Sequence, residues 1–522
     1  MCRQENPSMH FHAAAAAGLT VTPVRRHRPN RRRPVKSRRK AVLFLCCAVL
    51  GLGLSLLGCP QRALAFDTGH HADLTREALQ DSGFGDTAVQ VAQVQNWLTD
   101  YFSSSPTSTI KADVEKLHFD NLFTTAALSN YWGRLTLNTR NAAQQAAREN
   151  DPLRLLTVLG VSLHAVQDFY SHSNWVESRP PAGTGAYRTD TWFGTGGGGT
   201  TAALLRTGRY PNAGNNDPND HGEFGHGLNK DSYVRPRWDE AYVYAYAASR
   251  EWVNAVRGWV EAINPALWRQ AQAFTVSGAD RSALNFDLEA AYRLSEWVAF
   301  SGADGHWKGN GSGSVAEFVA FAARWTAAAD SRFVREFKGR ATHRLISDGL
   351  TGDNPPPGPA PAVARVSLDR RAVIVRTLQA AEKNDVGLFE LKIDPGGRAD
   401  FFARITIAGQ TFVEAMQLDR SDVSPAWTTI KFVPSSAAAS VPIRYELWDE
   451  DGGVAGDDDH CDINPGRGAR DLNFSFSVGT HGCAGDVTGV HDSPVTAVVS
   501  AGAKPDKDRA VVRFTVTERR LL

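Results

Sequence analysis

The fold of this chain is decided by the stretch Leu159-Gly-Val-Ser-Leu-His164-Ala-Val-Gln-Asp168-Phe-Tyr-Ser-His172-Ser-Asn-Trp-Val-Glu177. Its apolar residues recur at helical spacing. His164, Asp168 and His172 are each four residues apart, so a helix places them in one stripe about 12 Å long. That is too long for one ion with bonds of about 2.1 Å and suits two or three neighbouring zinc ions. The alternative is an ordinary helix with a solvated Asp and a packed His, because His-x-x-x-Asp alone is a common pattern.

The wider context favours zinc. The helix resembles the zinc-binding helix of the zinc-dependent phospholipase C and fungal single-strand nuclease superfamily, which carries His-x-x-x-Asp and then another His. The longer string, Leu-His-x-x-Gln-Asp-Phe-Tyr-Ser-His-Ser-Asn-Trp-Val-Glu, is similar to the Het-C heterokaryon-incompatibility group, a distant branch of the same helical fold. The resemblance implies a mainly helical zinc domain in which Asp168 bridges two metals.

The N-terminal segment has the pattern of an export signal. A basic block in residues 1–40 precedes an uncharged apolar run, residues 41–57, and then Ala63-Leu64-Ala65. Basic, then apolar, then Ala-x-Ala is typical of a secretory signal, and the Arg-Arg pair before the run resembles a twin-arginine motif. We expect residues 1–65 to be removed and the product to be secreted, periplasmic or on the cell surface. An uncleaved anchor and a lipidated Cys59 are the alternatives.

Cleavage after Ala65 would create a metal ligand. In the superfamily, the amine and carbonyl of the first mature residue bind one zinc, and a His a few residues later completes that site. The resemblance assigns these roles to Phe66 and to His70 or His71, with His71 preferred because it is the sixth mature residue. The superfamily usually has Trp first, but the ligand there is backbone. The alternative is that both histidines lie near the start of a first helix.

Two further segments supply ligands by resemblance. Asp100 lies shortly after Trp97, as in the Trp-x-Asp segment of the nuclease branch, and Leu117-His118-Phe119 is similar to its Leu-His-Phe segment. Asp100 and His118 would then join the ligands of the central helix. Asp100 would bind zinc or accept a proton from water, so Asp100 and Asp168 are the catalytic candidates.

The second zinc needs ligands from a later loop. Residues 178–230 are rich in Gly, Pro, Asn and Thr, and loops of that length are commonly functional. The superfamily requires a late His and an acid to complete a site with His172. The candidates, whose spacing fits neither branch, are His221 or His226 with Asp231 or Glu223.

The last third of the chain has a different pattern. Helical spacing returns in residues 238–350, and a Pro-rich linker, residues 351–361, follows. Short β segments with polar turns in residues 362–522 predict an antiparallel sandwich. Cys461 and Cys483 are the two cysteines outside the signal, and we expect a disulfide between them; two free thiols are the alternative.

Two acidic loops in the predicted sandwich point to calcium. Clustered carboxylates repel one another, and a hard cation relieves that repulsion. The loops resemble those of the calcium-dependent phospholipid-binding sandwich of protein kinase C and synaptotagmin. Soluble acidic loops without an ion are the alternative. The matching residues are Asp394, Asp400, Asp449, Asp451 and Asp457.

These features predict a multidomain protein: a mainly α-helical zinc phospholipase C/nuclease-like domain, residues 66–350, followed by an antiparallel β-sandwich. Its expected function is that of a secreted zinc-dependent phosphodiesterase of the phospholipase C type, with calcium-assisted docking on a phospholipid membrane. One alternative is a single-strand nuclease, against which the net charge of +1 argues because nucleic acid favours a basic groove. Another is a non-catalytic, zinc-containing Het-C-like surface or interaction protein.

Overall fold

The computed structural model describes most of the chain from Thr68 onward. The predicted signal segment, Phe66 and all but the first residue of the predicted linker lie outside the described residues. The described ranges are 68–104, 108–183, 185–192, 204–210, 217–222, 227–300, 315–328, 330–351, 366–382, 399–414, 416–417, 420–436, 440–449, 459–466, 468–478, 480–487, 489–490, 494–497 and 509–522.

The first part of the described chain is helical, as the sequence predicts. None of the described helices combines the length and apolar character needed to cross a bilayer. The helices are α1 (Thr68–Gln80), α2 (Asp86–Ser104), α3 (Lys111–Val114), a 3₁₀ turn (Glu115–His118), α4 (Thr125–Glu149), α5 (Pro152–His172), α6 (Trp238–Glu261), α7 (Pro265–Gln272), α8 (Gly278–Phe300), α9 (Val315–Ala328), α10 (Arg332–Gly339) and α11 (Thr342–Ser347).

Helix α5 contains the central stretch and is buried along nearly its whole length. It begins where the Asp151 side chain accepts a hydrogen bond from the backbone N–H of Arg154, with Pro152 in the first turn. Gly160 lets α2 approach closely: a Cβ there would lie 2.4 Å from the carbonyl oxygen of Ala92. This close contact brings Asp100 of α2 beside the candidate ligands of α5.

The C-terminal part consists of two sheets. A six-stranded sheet has the order β1-β13-β2-β5, with β12 on β13 and β6 on β2; a seven-stranded sheet has the order β11-β10-β9-β7-β3-β4, with β8 on β7. Pairing is antiparallel except where β1 joins β13. The strands are β1 (Ala186–Tyr187), β2 (Arg370–Glu382), β3 (Phe401–Ile407), β4 (Gln410–Val413), β5 (Asp422–Val423), β6 (Thr428–Pro434), β7 (Ser440–Asp449), β8 (Asp459–His460), β9 (Leu472–Ser477), β10 (Gly482–Gly485), β11 (Gly489–Val490), β12 (Pro494–Ala497) and β13 (Ala510–Leu521).

The two sheets pack face to face. On β7, Ile443, Tyr445 and Leu447 alternate with more exposed residues, which gives the strand one buried face. The ring of Tyr445 stacks on Phe514 of β13 at 5.1 Å, and its hydroxyl lies 2.9 Å from Thr377 Oγ1 of β2. The prediction of a helical part followed by an antiparallel β part is therefore confirmed.

The predicted Cys461–Cys483 disulfide is wrong, because both residues are free thiols. Cys483 pairs with Phe476, which in turn pairs with Val441 on β7. The backbone N–H of Cys461 instead donates to the carbonyl oxygen of Leu447. The positions on β7 beside which the two cysteines lie, Val441 and Leu447, are six residues apart. Six residues of extended strand span about 20 Å, far beyond the Cα separation of about 4.4–6.8 Å that a disulfide requires.

The sheets also contact the helical part. Lys431 of β6 donates to both carboxylate oxygens of Glu77 on α1, at 2.7 and 2.8 Å. Arg370 of β2 makes a bidentate pair with Asp81, just beyond the end of α1, at 2.9 and 3.0 Å. The strand β1, which lies between α5 and α6 in the chain, completes the edge of the six-stranded sheet. Helix α1 is therefore held by the sheets at its C-terminal end.

Candidate metal centre

A first group of ligand atoms surrounds Asp168 on α5. Its Oδ1 lies 2.9 Å from His71 Nε2 of α1, and its Oδ2 lies 3.0 Å from His118 Nδ1 and 3.1 Å from His164 Nε2. Asp168, His71 and His164 are essentially inaccessible to solvent. The two carboxylate oxygens face different imidazoles, which is the arrangement that a carboxylate bridging two ions requires.

Asp100 of α2 lies near two of the same imidazoles. Its Oδ1 is 3.6 Å from His164 Nε2 and 3.8 Å from His118 Nδ1, both longer than a hydrogen bond. His118 Nδ1 and His164 Nε2 are 3.0 Å apart. Asp100 and Asp168, the two catalytic candidates, therefore both lie close to one pair of imidazoles.

The turn after His118 carries a ligand candidate that the sequence prediction missed. Phe119 and Asn121 have φ angles of 54° and 64°, and Phe119 is fully buried. Left-handed backbone at a bulky residue is rare and costs energy. It turns the chain so that His118 faces the first group and Asp120, two residues later, faces a second.

The second group consists of His172, His221, Asp120 and Asp231. Nε2 of His172 is 2.9 Å from Nε2 of His221 and 3.2 Å from Asp231 Oδ1, and its Nδ1 is 3.5 Å from Asp120 Oδ1. Nδ1 of His172 donates to the carbonyl oxygen of His118, and Nδ1 of His221 donates to that of Gly222. The two Nε2 atoms therefore face each other, and a proton or a metal ion between them would relieve the repulsion of their lone pairs.

The pKa shifts differ between the two groups. Burial would raise the pKa of Asp168, but His164 and His71 outweigh it and hold that pKa well below its usual range. Burial lowers the pKa of His164 to about 3 and raises that of Asp100 well above its usual value. In the first group, Asp168 is therefore ionised and His164 neutral at pH 7.

In the second group, one histidine is charged. Burial would lower the pKa of His172, but the carboxylates of Asp120 and Asp231 raise it to about 10. Burial lowers the pKa of His221 to about 4 and raises that of Asp120 to about 7. His172 therefore carries a proton at pH 7 that can be shared with Asp231 and His221.

The donor sets fit a metal of zinc's chemistry. Three sets of side chains have ligand atoms within 4.8 Å of one another: His71, His164 and Asp168; Asp100, His118 and His164; Asp120, His172 and His221. Ligands on one tetrahedral zinc with bonds of about 2.0–2.1 Å lie roughly 3.3 Å apart. The separations of 2.9–3.8 Å within the first group match that value. Imidazole with carboxylate is a donor combination that zinc accepts.

The remaining candidates fall elsewhere. His70 points away from both groups into an aromatic pocket, with its ring 4.6 Å from that of Trp238. Of the calcium candidates, Asp400 and Asp449 lie together where the neighbouring strands β3 and β7 begin and end, and the Asp400 N–H donates to Asp449 Oδ1 at 2.5 Å. Phe66, His226, Glu223, Asp394, Asp451 and Asp457 lie outside the described residues.

Comparison with known proteins identifies one family model. That model, the VWA7 N-terminal domain, matches residues 80–181, a segment that contains Asp100, His118, His164, Asp168 and His172. A comparison with curated proteins finds no match.

Among solved structures, human GIVD cytosolic phospholipase A2 with methyl gamma-linolenyl fluorophosphonate is 12% identical at a TM-score of 0.19. That match covers 29% of this chain and 17% of the phospholipase. A second structure of the same human phospholipase has 12% identity and a TM-score of 0.20, over 29% of this chain and 16% of that one. The chain thus spans less than a fifth of the length of these phospholipases.

Proposed function

We propose that this protein is a zinc-dependent phosphodiesterase that hydrolyses phospholipid headgroup esters in the manner of a phospholipase C. One observation carries the proposal: Asp168 is in contact with three imidazoles from three separate segments, with the second carboxylate, Asp100, beside two of them. A buried carboxylate with three histidines is an arrangement that metal binding explains and that packing alone does not require.

The residues would divide the work as follows. His71, His118, His164 and Asp168 would hold zinc in the first group, and zinc, when bound, supplies a water of lowered pKa and polarises a phosphoryl oxygen. Asp100 would bind zinc or accept a proton from the attacking water, because its Oδ1 faces two of the same imidazoles. His172, His221, Asp231 and Asp120 would hold a further ion.

Substrate would reach the centre from the side of His118 and Asp120. His118 is 8% exposed and Asp120 is half-buried, whereas the other described ligands of both groups are 0–2% exposed. Because most of these side chains are inaccessible to solvent, the structure also favours a second candidate, a non-catalytic protein in which the metals only stabilise the helical part. The Het-C resemblance agrees with that candidate.

The sheets would add calcium-assisted docking on phospholipid. Asp400 and Asp449 meet at the adjoining ends of β3 and β7, and Asp459 pairs with Asp449 across β7 and β8. A calcium ion there would neutralise the carboxylates, and lipid phosphates could complete its oxygen shell. Sedimentation of the full chain with phosphatidylcholine–phosphatidylserine vesicles, with calcium or with chelator, tests this. Equal binding in both conditions would contradict it.

We also propose that residues 1–65 are an export signal and that the helical part has the phospholipase C/nuclease type of fold.

The deciding experiment measures zinc in the processed protein and assays that protein on a chromogenic phosphorylcholine ester and on single-stranded DNA. Two or more zinc ions with hydrolysis of the choline ester support the proposal. Zinc with DNA hydrolysis indicates a nuclease, zinc with neither activity indicates the non-catalytic candidate, and absence of zinc overturns all three.

A further inference from the structure

Two buried side-chain amides lie behind the first group. Asn96 of α2 has its Oδ1 3.0 Å from Nδ1 of His164, and Gln167 of α5 has its Oε1 2.6 Å from Nδ1 of His71. Both amides are inaccessible to solvent. Each imidazole therefore meets Asp168 with one nitrogen and an amide oxygen with the other.

The two amides are hydrogen-bonded to each other, and both donate to the same hydroxyl group, that of Thr75. Asn96 Nδ2 donates to Gln167 Oε1 at 3.2 Å and to Thr75 Oγ1 at 3.1 Å. Gln167 Nε2 donates to Thr75 Oγ1 and to Ser249 Oγ, each at 3.3 Å. Rotating one amide by 180° would set two N–H₂ groups or two oxygens against each other, so the amides can turn over only as a pair.

The amide orientation decides which imidazole nitrogen carries the proton. An amide oxygen accepts and cannot donate, so Nδ1 of His71 and of His164 must each carry a hydrogen. The Nε2 lone pairs then face Asp168 oxygens at 2.9 and 3.1 Å, where lone pair would repel lone pair. A cation between them turns that repulsion into coordination.

If both amides were rotated by 180°, the other nitrogen of each imidazole would carry the hydrogen. The amide N–H groups would donate to Nδ1 of both rings, and Nε2 of each would carry a hydrogen bonded to Asp168. Protons would then occupy the positions that a metal needs. The hydroxyl of Thr75 favours the observed orientation, because two amide N–H groups converge on it. With both amides rotated, the Ser249 hydroxyl would donate to Gln167 Oε1 instead of accepting from Gln167 Nε2.

We propose that Thr75, Asn96 and Gln167 are positioning residues that keep Nε2 of His71 and His164 free of protons and so ready for metal. Thr75 is the group that fixes the orientation of both amides. The inference rests on the metal part of the proposed function and is independent of which ester, if any, is hydrolysed.

The test is zinc affinity of the full-length processed protein, measured by competition with a chromophoric chelator. Thr75→Val keeps the shape of the side chain and removes the acceptor, and it should weaken zinc binding at the first group by about 10- to 100-fold. Thr75→Ser keeps the hydroxyl and should restore affinity. Thr157→Val, which removes a buried hydroxyl on α5 bonded to the carbonyl oxygen of Leu153, is the matched control and should bind as wild type.

A second measurement needs no variant. Long-range ¹H–¹⁵N spectra of the imidazoles distinguish the two tautomers, and we expect Nδ1–H on His71 and His164 both with and without zinc. Nε2–H on these rings in the metal-free protein, or unchanged affinity in a folded Thr75→Val protein, would overturn the inference. Absence of zinc from the wild-type protein would instead overturn the proposed function itself, so the two failures are distinguishable.

Discussion

The two ligand groups meet at His118 but are built in different ways. In the first group, the described ligands lie on α1, α2, α5 and the 3₁₀ turn, so helical geometry fixes where each side chain points. In the second, only His172 is helical, and Asp120, His221 and Asp231 come from loops. Those loops depend on local backbone contacts: a Cβ at Gly227 would lie 2.4 Å from the carbonyl oxygen of Asp220, and its φ is +60°. Ligands on helices are held rigidly, whereas ligands on loops depend on each turn being formed.

Charge separates the two groups as well. In the first, an ionised Asp168 faces a neutral His164, because burial lowers the pKa of that histidine to about 3. In the second, the pKa of His172 is raised to about 10 by Asp120 and Asp231, so a proton already balances part of the negative charge. A metal entering the second group must displace that proton. We therefore expect the first group to bind zinc more tightly.

The strongest test of this difference is Asp168→Asn. The amide removes the charge and one of the two oxygens that face different imidazoles, so the variant should lose more than one equivalent of zinc by elemental analysis. The second group should keep its ion. Asp330→Asn, at an exposed ion pair with Arg335, is the control and should lose none. Full zinc content in Asp168→Asn would contradict the role of Asp168 as the shared ligand.

Lys431→Met tests whether the first group depends on the sheets. Glu77 lies on α1, six residues after His71, and its carboxylate is buried against Lys431. Removing the lysine leaves a buried carboxylate without its partner, which typically costs about 3–5 kcal/mol. We expect chemical denaturation to show that loss, and the variant's zinc affinity to fall more at the first group than at the second.

Lys116→Met is the control for that change. Lys116 forms a partly exposed pair with Asp113 at 3.8 Å, and surface pairs contribute about 0–1 kcal/mol. Equal stability of Lys431→Met and Lys116→Met would mean that the Lys431–Glu77 contact does not hold α1.

The same contrast explains what the sequence could predict. The stripe of His164, Asp168 and His172 follows from helical periodicity, because four-residue spacing fixes one face. Asp120 could not be predicted in this way, since its position depends on a left-handed Phe119, a conformation that phenylalanine rarely adopts. The nearest signal was Asn121, a residue type that tolerates positive φ.

The β part shows the same limit. Short β segments between polar turns predicted the sandwich, but the sequence did not show which distant strands pair. The disulfide prediction failed because the register places Cys461 and Cys483 beside different parts of β7. The strand β1 was missed because its two residues pair with the far end of the chain, Arg520 and Leu521. Long-range register depends on the packing of whole sheets, which short sequence patterns do not encode.

His221→Gln sharpens the comparison from the other side. Glutamine keeps a polar side chain but lacks the imidazole, whose Nε2 lies 2.9 Å from His172 Nε2. We expect the second group to lose one equivalent of zinc while the zinc content of the first group stays unchanged. When cobalt replaces zinc, the absorption spectrum of cobalt in the first group should likewise be the same as in wild type. Loss of metal from both groups would mean that they form one cooperative centre rather than two separable ones.

The smallest expected effect is a pH dependence at the end of α1. Burial alone would raise the pKa of Asp81, but hydrogen bonds from Arg370 and Tyr246 outweigh it and lower that pKa. A carboxyl with a lowered pKa in the folded protein stabilises it above its unfolded pKa of about 3.9, and this stabilisation disappears as the pH falls through the folded value. Arg370→Gln should therefore lower the free energy of unfolding of the metal-free protein by about 1–3 kcal/mol at pH 7, and the difference from wild type should shrink below pH 4.

Arg371→Gln, which breaks a pair with Glu518 inside the six-stranded sheet, controls for loss of an arginine. A difference for Arg370→Gln that stays constant down to pH 2 would mean that Arg370 stabilises the contact by packing rather than through the charge of Asp81.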